Sequence, residues 1–90
     1  MNKALTNNEK LLKQLKFRSW HRGWKETDLI LGSFADANLE KLSETELLTY
    51  GKLLDEDDDV IWAWVIGKEV PPEEYSIIIK MLEGYGRQPN

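Results

Sequence analysis

Cysteine is absent from this chain of 90 residues, which excludes a disulfide framework, a thiolate zinc site and a cysteine nucleophile. Histidine occurs once, as His21, and a lone imidazole beside Arg22 neither completes a metal site nor serves as the base of a hydrolytic centre. The serines Ser19, Ser33, Ser43 and Ser76 lack the glycines of a nucleophile elbow, so no catalytic constellation is left and the chain reads as a non-enzyme. No apolar run approaches the ~20 residues of a membrane span, and the N-terminus lacks the apolar core and cleavage site of a signal peptide. The expectation is a soluble, intracellular protein of the bacterial cytoplasm that engages no membrane. Alternating strand patterns and internal repeats are missing too.

What is present is helical periodicity with clear punctuation. Thr6-Asn7-Asn8-Glu9 has capping-box spacing, and Leu11, Leu12 and Leu15 follow at helical intervals, predicting a helix over about 7–21. Gly23 punctuates it, and a second helix carries Leu29, Ile30, Leu31, Phe34, Leu39 and Leu42, with Gly32 and Asn38 as weak points. Ser43-Glu44-Thr45-Glu46 is a second capping box, opening a helix with Leu47, Leu48, Tyr50, Leu53 and Leu54 as its apolar positions. Asp55 to Asp59 place negative charge before Val60 to Ile66, where a helix dipole favours it, and Gly67 stops that short helix. Pro71-Pro72-Glu73-Glu74 starts a fifth helix through Tyr75, Ile78, Ile79, Leu82 and Tyr85. The pattern predicts an all-α, compact, single-domain five-helix bundle spanning 1–90, with 1–6 and 86–90 as frayed termini. A chain this short buries only roughly 60–65% of its unfolded surface.

The net charge of −4 hides an asymmetry. Residues 1–25 hold seven basic groups against Glu9 alone, a net +6, whereas the remainder carries −10. The basic first helix, with Phe17, Trp20 and Trp24 interleaved, offers a reading as a nucleic-acid-binding or adaptor module, in which bases stack between phosphate contacts. The −10 remainder opposes it, because it lies close enough to cancel much of the attraction. Phe17 and Trp20 read equally as core, with the lysines a solvated face. The acidic run is no calcium loop: Asp55, Asp57 and Asp59 fit the first, third and fifth places of an EF-hand, but Val60 and Ile66 occupy the sixth and twelfth, which need glycine and glutamate.

The most informative stretch is Arg22-Gly23-Trp24-Lys25-Glu26 followed by Asp28. Glycine costs about 1 kcal/mol against alanine within a helix, so its place here implies a turn at positive φ or the close approach of another backbone. The segment is too polar to pack inside a small domain without partners and reads as an exposed recognition element. The bland alternative makes Gly23 a helix C′ residue, with Arg22 paired to Glu26 across the turn.

The arrangement Arg22-Gly23-x-x-Glu26-x-Asp28, followed by Leu29 to Phe34, resembles the signature of the succinate dehydrogenase assembly factors that promote flavinylation. The resemblance extends over about residues 17–85, through Ser43 to Leu54, the acidic stretch leading to Trp64 and Gly67, and the helix start at Pro71. It implies an assembly chaperone that binds the flavoprotein subunit of succinate dehydrogenase, and in some bacteria of fumarate reductase, and promotes covalent attachment of FAD to a histidine there. By position, Arg22, Gly23 and Glu26 are then the partner contact, Asp28 supports it, and His21 and Trp24 flank it. His21 stands where the family often has a further arginine. The resemblance assigns no role to Asp57, Asp58 or Asp59. It implies a monomer that binds no nucleic acid and holds no cofactor stably, acting instead on FAD attachment to its partner.

Overall fold

The computed structural model describes residues 6–86. The termini expected to fray lie outside these residues, apart from Thr6, which caps the first helix, and Gly86, which ends the last. Five α-helices are found among the described residues, with no strand: α1 (Asn7–Trp20), α2 (Lys25–Asn38), α3 (Glu44–Leu53), α4 (Asp58–Val65) and α5 (Ser76–Gly86). The all-α bundle expected from the sequence is therefore observed. Short 3-10 turns follow α2 at Leu39–Lys41 and precede α5 at Glu73–Tyr75.

The helix ends form where the local chemistry directs. Thr6 Oγ1 accepts from Glu9 N–H at 3.1 Å while Thr6 N–H donates to Glu9 Oε1 at 2.9 Å, and Ser43 and Glu46 repeat the arrangement at 3.1 and 2.8 Å. Each box satisfies two otherwise open backbone donors. At the end of α4, Gly67 takes φ +81, and the N–H groups of Gly67 and Lys68 donate to the carbonyls of Trp64 and Ala63. That left-handed termination is one a residue with a side chain adopts only under strain. α2 stops at Asn38, earlier than the apolar pattern alone implies; Asn38 turns its amide to the Phe34 carbonyl and to the Tyr85 hydroxyl on α5.

Packing centres on α2, which lies against α1, α4 and α5. Leu31, Phe34, Ala35, Leu39, Tyr50, Leu53, Ile61, Ile79 and Leu82 are essentially removed from solvent. Phe34 meets Tyr50 and Tyr85 with ring centroids 5.6 and 5.7 Å apart. One close approach is set by an absent side chain: a Cβ on Gly32 would fall 2.1 Å from the Trp20 indole, so the ring lies directly on the α2 backbone. Gly32 is thus the contact that lets α1 close onto α2, not a weak point in the helix.

Two buried polar groups complete this layer. Ser19 Oγ donates to the Leu15 carbonyl at 2.7 Å and accepts from the Tyr50 hydroxyl at 2.6 Å, whose oxygen also lies 3.3 Å from the Leu31 carbonyl. These bonds join α1 to α3, with the α2 backbone alongside. Leu29, Leu48, Ile66 and Phe17, apolar positions that the periodicity makes candidates for burial, are instead exposed by half or more of their surface.

Candidate functional site

The turn between α1 and α2 spans residues 21–24, and its conformation is set by two devices. Gly23 has φ +113, a region that residues with a side chain enter at a cost of about 1–2 kcal/mol. A Cβ there would meet nothing closer than Asp58 Oδ2 at 4.0 Å, so glycine serves the backbone angle and leaves open space above it. The second device is Arg22. Its Nε donates to Asp58 Oδ1 at 2.7 Å, its Nη1 to the Leu54 carbonyl at 2.7 Å, and its Nη2 to the Glu56 carbonyl. The side chains of Arg22 and Asp58 are only 10% and 12% exposed.

These contacts correct the sequence expectation for Arg22. Its guanidinium is not part of an exposed element, and it pairs with Asp58 rather than with Glu26. A planar fork with several fixed donors suits this junction, where one carboxylate and two carbonyls converge from the end of α3, the α3–α4 loop and the first turn of α4. The low exposure of both charges makes their mutual compensation necessary, since either alone would be desolvated without a partner. Arg22 therefore ties the turn to the opposite side of the bundle.

Asp28 works from below in the same sense. Its Oδ1 accepts the Arg22 backbone N–H at 2.8 Å, bridging the turn to the first turn of α2, and its side chain is half-buried. Thr27, fully buried, donates from Oγ1 to the Trp24 carbonyl at 3.2 Å. The turn is thus held on both flanks, while His21, Gly23, Trp24 and Glu26 are exposed, Trp24 at 41%. Of the six residues singled out from the sequence, four present a surface and two, Arg22 and Asp28, shape it from within.

His21 caps α1 and stacks on Phe17, with ring centroids 4.0 Å apart and an interplanar angle of 19°. Because a carbonyl oxygen only accepts, the 2.7 Å contact with Phe17 O makes His21 Nδ1 the donor and leaves Nε2 without a hydrogen bond among the described residues. Sequence reasoning missed Asp58, which it left as one unassigned carboxylate among several. The available signal was its place in the first turn of α4, but nothing local links it to an arginine 36 positions earlier.

No cluster of three or more potential metal ligands occurs among the described residues. A shallow groove of about 160 Å³ lies between α3 and α5, lined by Thr45, Glu46, Thr49, Glu74, Ile77 and Ile78. No helix among the described residues is long and apolar enough to cross a membrane.

Residues 13–85 match the family described as flavinator of succinate dehydrogenase. The mitochondrial succinate dehydrogenase assembly factor 2 of Dictyostelium discoideum is 39% identical over 84 residues, covering 92% of this chain and 60% of that protein. The corresponding factor of Schizosaccharomyces pombe is 36% identical over 89 residues, covering 97% of this chain and 64% of its own length. The FAD assembly factor SdhE of Acetobacter pasteurianus is 37% identical over 62 residues, or 69% of this chain. The chain thus spans less than two thirds of the length of these curated relatives.

The compartment expected from the sequence is corrected by the same comparison. The relatives that match nearly the whole chain are mitochondrial proteins of eukaryotes, and the bacterial relative covers a smaller share, so assignment to a bacterial cytoplasm is not supported. Lack of cysteine and a modest acidic charge suit a folded bundle in more than one compartment and carry no address. With a family match over most of its length and relatives approaching 40% identity, this chain belongs to the succinate dehydrogenase assembly factors, the flavinators of succinate dehydrogenase.

Proposed function

We propose that this chain is an assembly chaperone that binds the flavoprotein subunit of succinate dehydrogenase, or the equivalent subunit of a fumarate reductase, and promotes covalent attachment of FAD to a histidine of that subunit. The observation that carries the reading is the turn itself. Arg22, with its side chain only 10% exposed, and half-buried Asp28 fix it from within, so that Gly23, Trp24 and Glu26 meet a partner with little conformational freedom left to lose. Gly23 offers bare backbone, Trp24 a large amphipathic ring and Glu26 an acceptor, with His21 at the margin.

Attachment of the flavin needs the partner's histidine and the isoalloxazine ring held in line. A bound helper favours that alignment when it binds the aligned conformer better than the others, since the shift in population equals its differential affinity. On this account the chaperone acts as a monomer, supplies no catalytic group and retains no FAD. The test is reconstitution of the apoflavoprotein subunit with FAD, read by in-gel flavin fluorescence. The chain should raise the covalently bound flavin, and Trp24→Ala should lower that yield while keeping its far-UV helical signal. Co-purification of nucleic acid in place of a flavoprotein would decide for the adaptor reading.

A further inference from the structure

Among the described residues, one of the three faces of α1 is exposed. Leu11, Leu12, Leu15 and Ser19 turn to the core. Lys16 and Arg18 are paired with Glu40 at 3.8 Å and Asp55 at 2.7 Å. The third face is a stripe of exposed residues, Lys10, Lys13, Phe17 and His21, spaced by three, four and four positions. Those intervals place neighbouring side chains on one side of a helix, over a length of about 16 Å. Lys10 and Lys13 make no ion pair among the described residues. Phe17 is 63% exposed yet ordered by its stack on His21, so it forms a flat aromatic plate ending beside the Gly23 turn.

We propose that this stripe is a second part of the docking surface, and that it receives a short segment of the flavoprotein partner carrying carboxylates next to an apolar or aromatic side chain. The inference rests on the functional reading above and extends it from the turn onto α1. Charge selects the occupant. Two unpaired ammonium groups next to an aromatic plate complement carboxylates flanking an apolar group. A long polyanion such as nucleic acid would in addition meet the net −10 of residues 26–90. A segment confined to the stripe interacts mainly within the Debye length of about 8 Å at physiological salt, where Lys10 and Lys13 outnumber the exposed Glu9 on the same helix. The plate adds apolar contact at low entropic cost because its two rings are already stacked.

The experiment is a titration of the purified apoflavoprotein subunit with the full chain, its Lys10→Glu/Lys13→Glu double variant, Phe17→Ser and Gly23→Arg, at about 50 and about 300 mM salt. All substituted side chains are exposed, and far-UV spectra confirm folding. The double variant should bind about tenfold more weakly at low salt, with the deficit shrinking at high salt as expected of screened charges. Phe17→Ser should bind roughly threefold more weakly at both salts, as loss of apolar contact requires. Wild-type affinity for both stripe variants at both salts, with Gly23→Arg still defective, would confine docking to the turn and overturn the proposal. A double variant that loses a single-stranded oligonucleotide but keeps the flavoprotein would overturn it as well. Failure of the unsubstituted chain to bind the flavoprotein at all would instead remove the functional reading, and the stripe's assignment with it.

Discussion

Removal of the Arg22 guanidinium tests whether this residue acts inside the fold or on a partner. In Arg22→Ala the Asp58 carboxylate, 12% exposed, loses its counter-charge, and the carbonyls of Leu54 and Glu56 lose their donors. Breaking a fully buried ion pair costs about 3–5 kcal/mol. Some water reaches Asp58, and the two carbonyls lie near a loop where solvent replaces part of what they lose, so we expect about 2–4 kcal/mol. A domain of this size has roughly 5–13 kcal/mol in total, and the loss should lower the melting temperature on the order of 10–30 °C. Asp58→Asn keeps an acceptor oxygen but leaves the cation uncompensated, and should cost about 1–3 kcal/mol. Because both substitutions break the same contact, the double variant should lose clearly less than the two singles combined. Arg22→Lys should recover only part of the stability, since one ammonium cannot serve three separate acceptors. Thermal melts followed by circular dichroism read all four variants. An Arg22→Ala melt within about 2 °C of the parent, combined with lost flavoprotein binding, would show that the guanidinium is a partner contact after all.

Two further outcomes follow from the packing of α1, α2 and α3. Gly32→Ala drives a methyl group into the Trp20 ring and should cost about 1–3 kcal/mol net of alanine's better helix propensity; in a Trp20→Ala background the same change should be neutral or stabilising, as chemical denaturation of the four proteins in the cycle will show. Burial pushes the Tyr50 phenol well above its ordinary value, with the Ser19 hydrogen bond partly offsetting the rise. The unfolded chain then releases this proton near pH 10 while the folded chain keeps it, so Tyr50 makes stability fall as pH rises above about 10 and contributes no slope between about pH 7 and 9. Tyr50→Phe should lose about 1 kcal/mol at neutral pH yet flatten part of that alkaline decline, leaving the share due to Tyr75, whose phenol burial also raises. Urea titrations at a series of pH values measure both.

The elements legible in the sequence are those whose signals are local. The boxes at Thr6–Glu9 and Ser43–Glu46, the acidic start of α4, the glycine that stops it and the proline pair before α5 each satisfy or deny specific backbone groups within one turn. Gly23 was legible as a turn residue for the same reason, although it lies one place beyond the C′ position expected of it. Features that depend on distant chain were not legible. The arginine beside Gly23 reads as exposed charge until α4 brings Asp58 to it, and Gly32 reads as a helix fault until the Trp20 indole lies upon it. Exposed Leu29 and Leu48 show the reverse, since apolar spacing identifies candidates for a face and only packing decides which are covered. The proposal that the turn faces a partner rests on family resemblance, because no spacing rule separates a docking turn from an ordinary one.

On the proposed function, the Gly23 backbone must stay open and left-handed for a partner to reach it. Gly23→Arg places a side chain at φ +113 in open space, so the bundle should survive with a loss of about 1–2 kcal/mol and an unchanged far-UV spectrum. Measured as covalently bound flavin on the apoflavoprotein subunit, the unsubstituted chain should raise the yield and Gly23→Arg should leave it at the level without chaperone. Equal flavin attachment by the two folded proteins would contradict the assignment of this turn as the docking site.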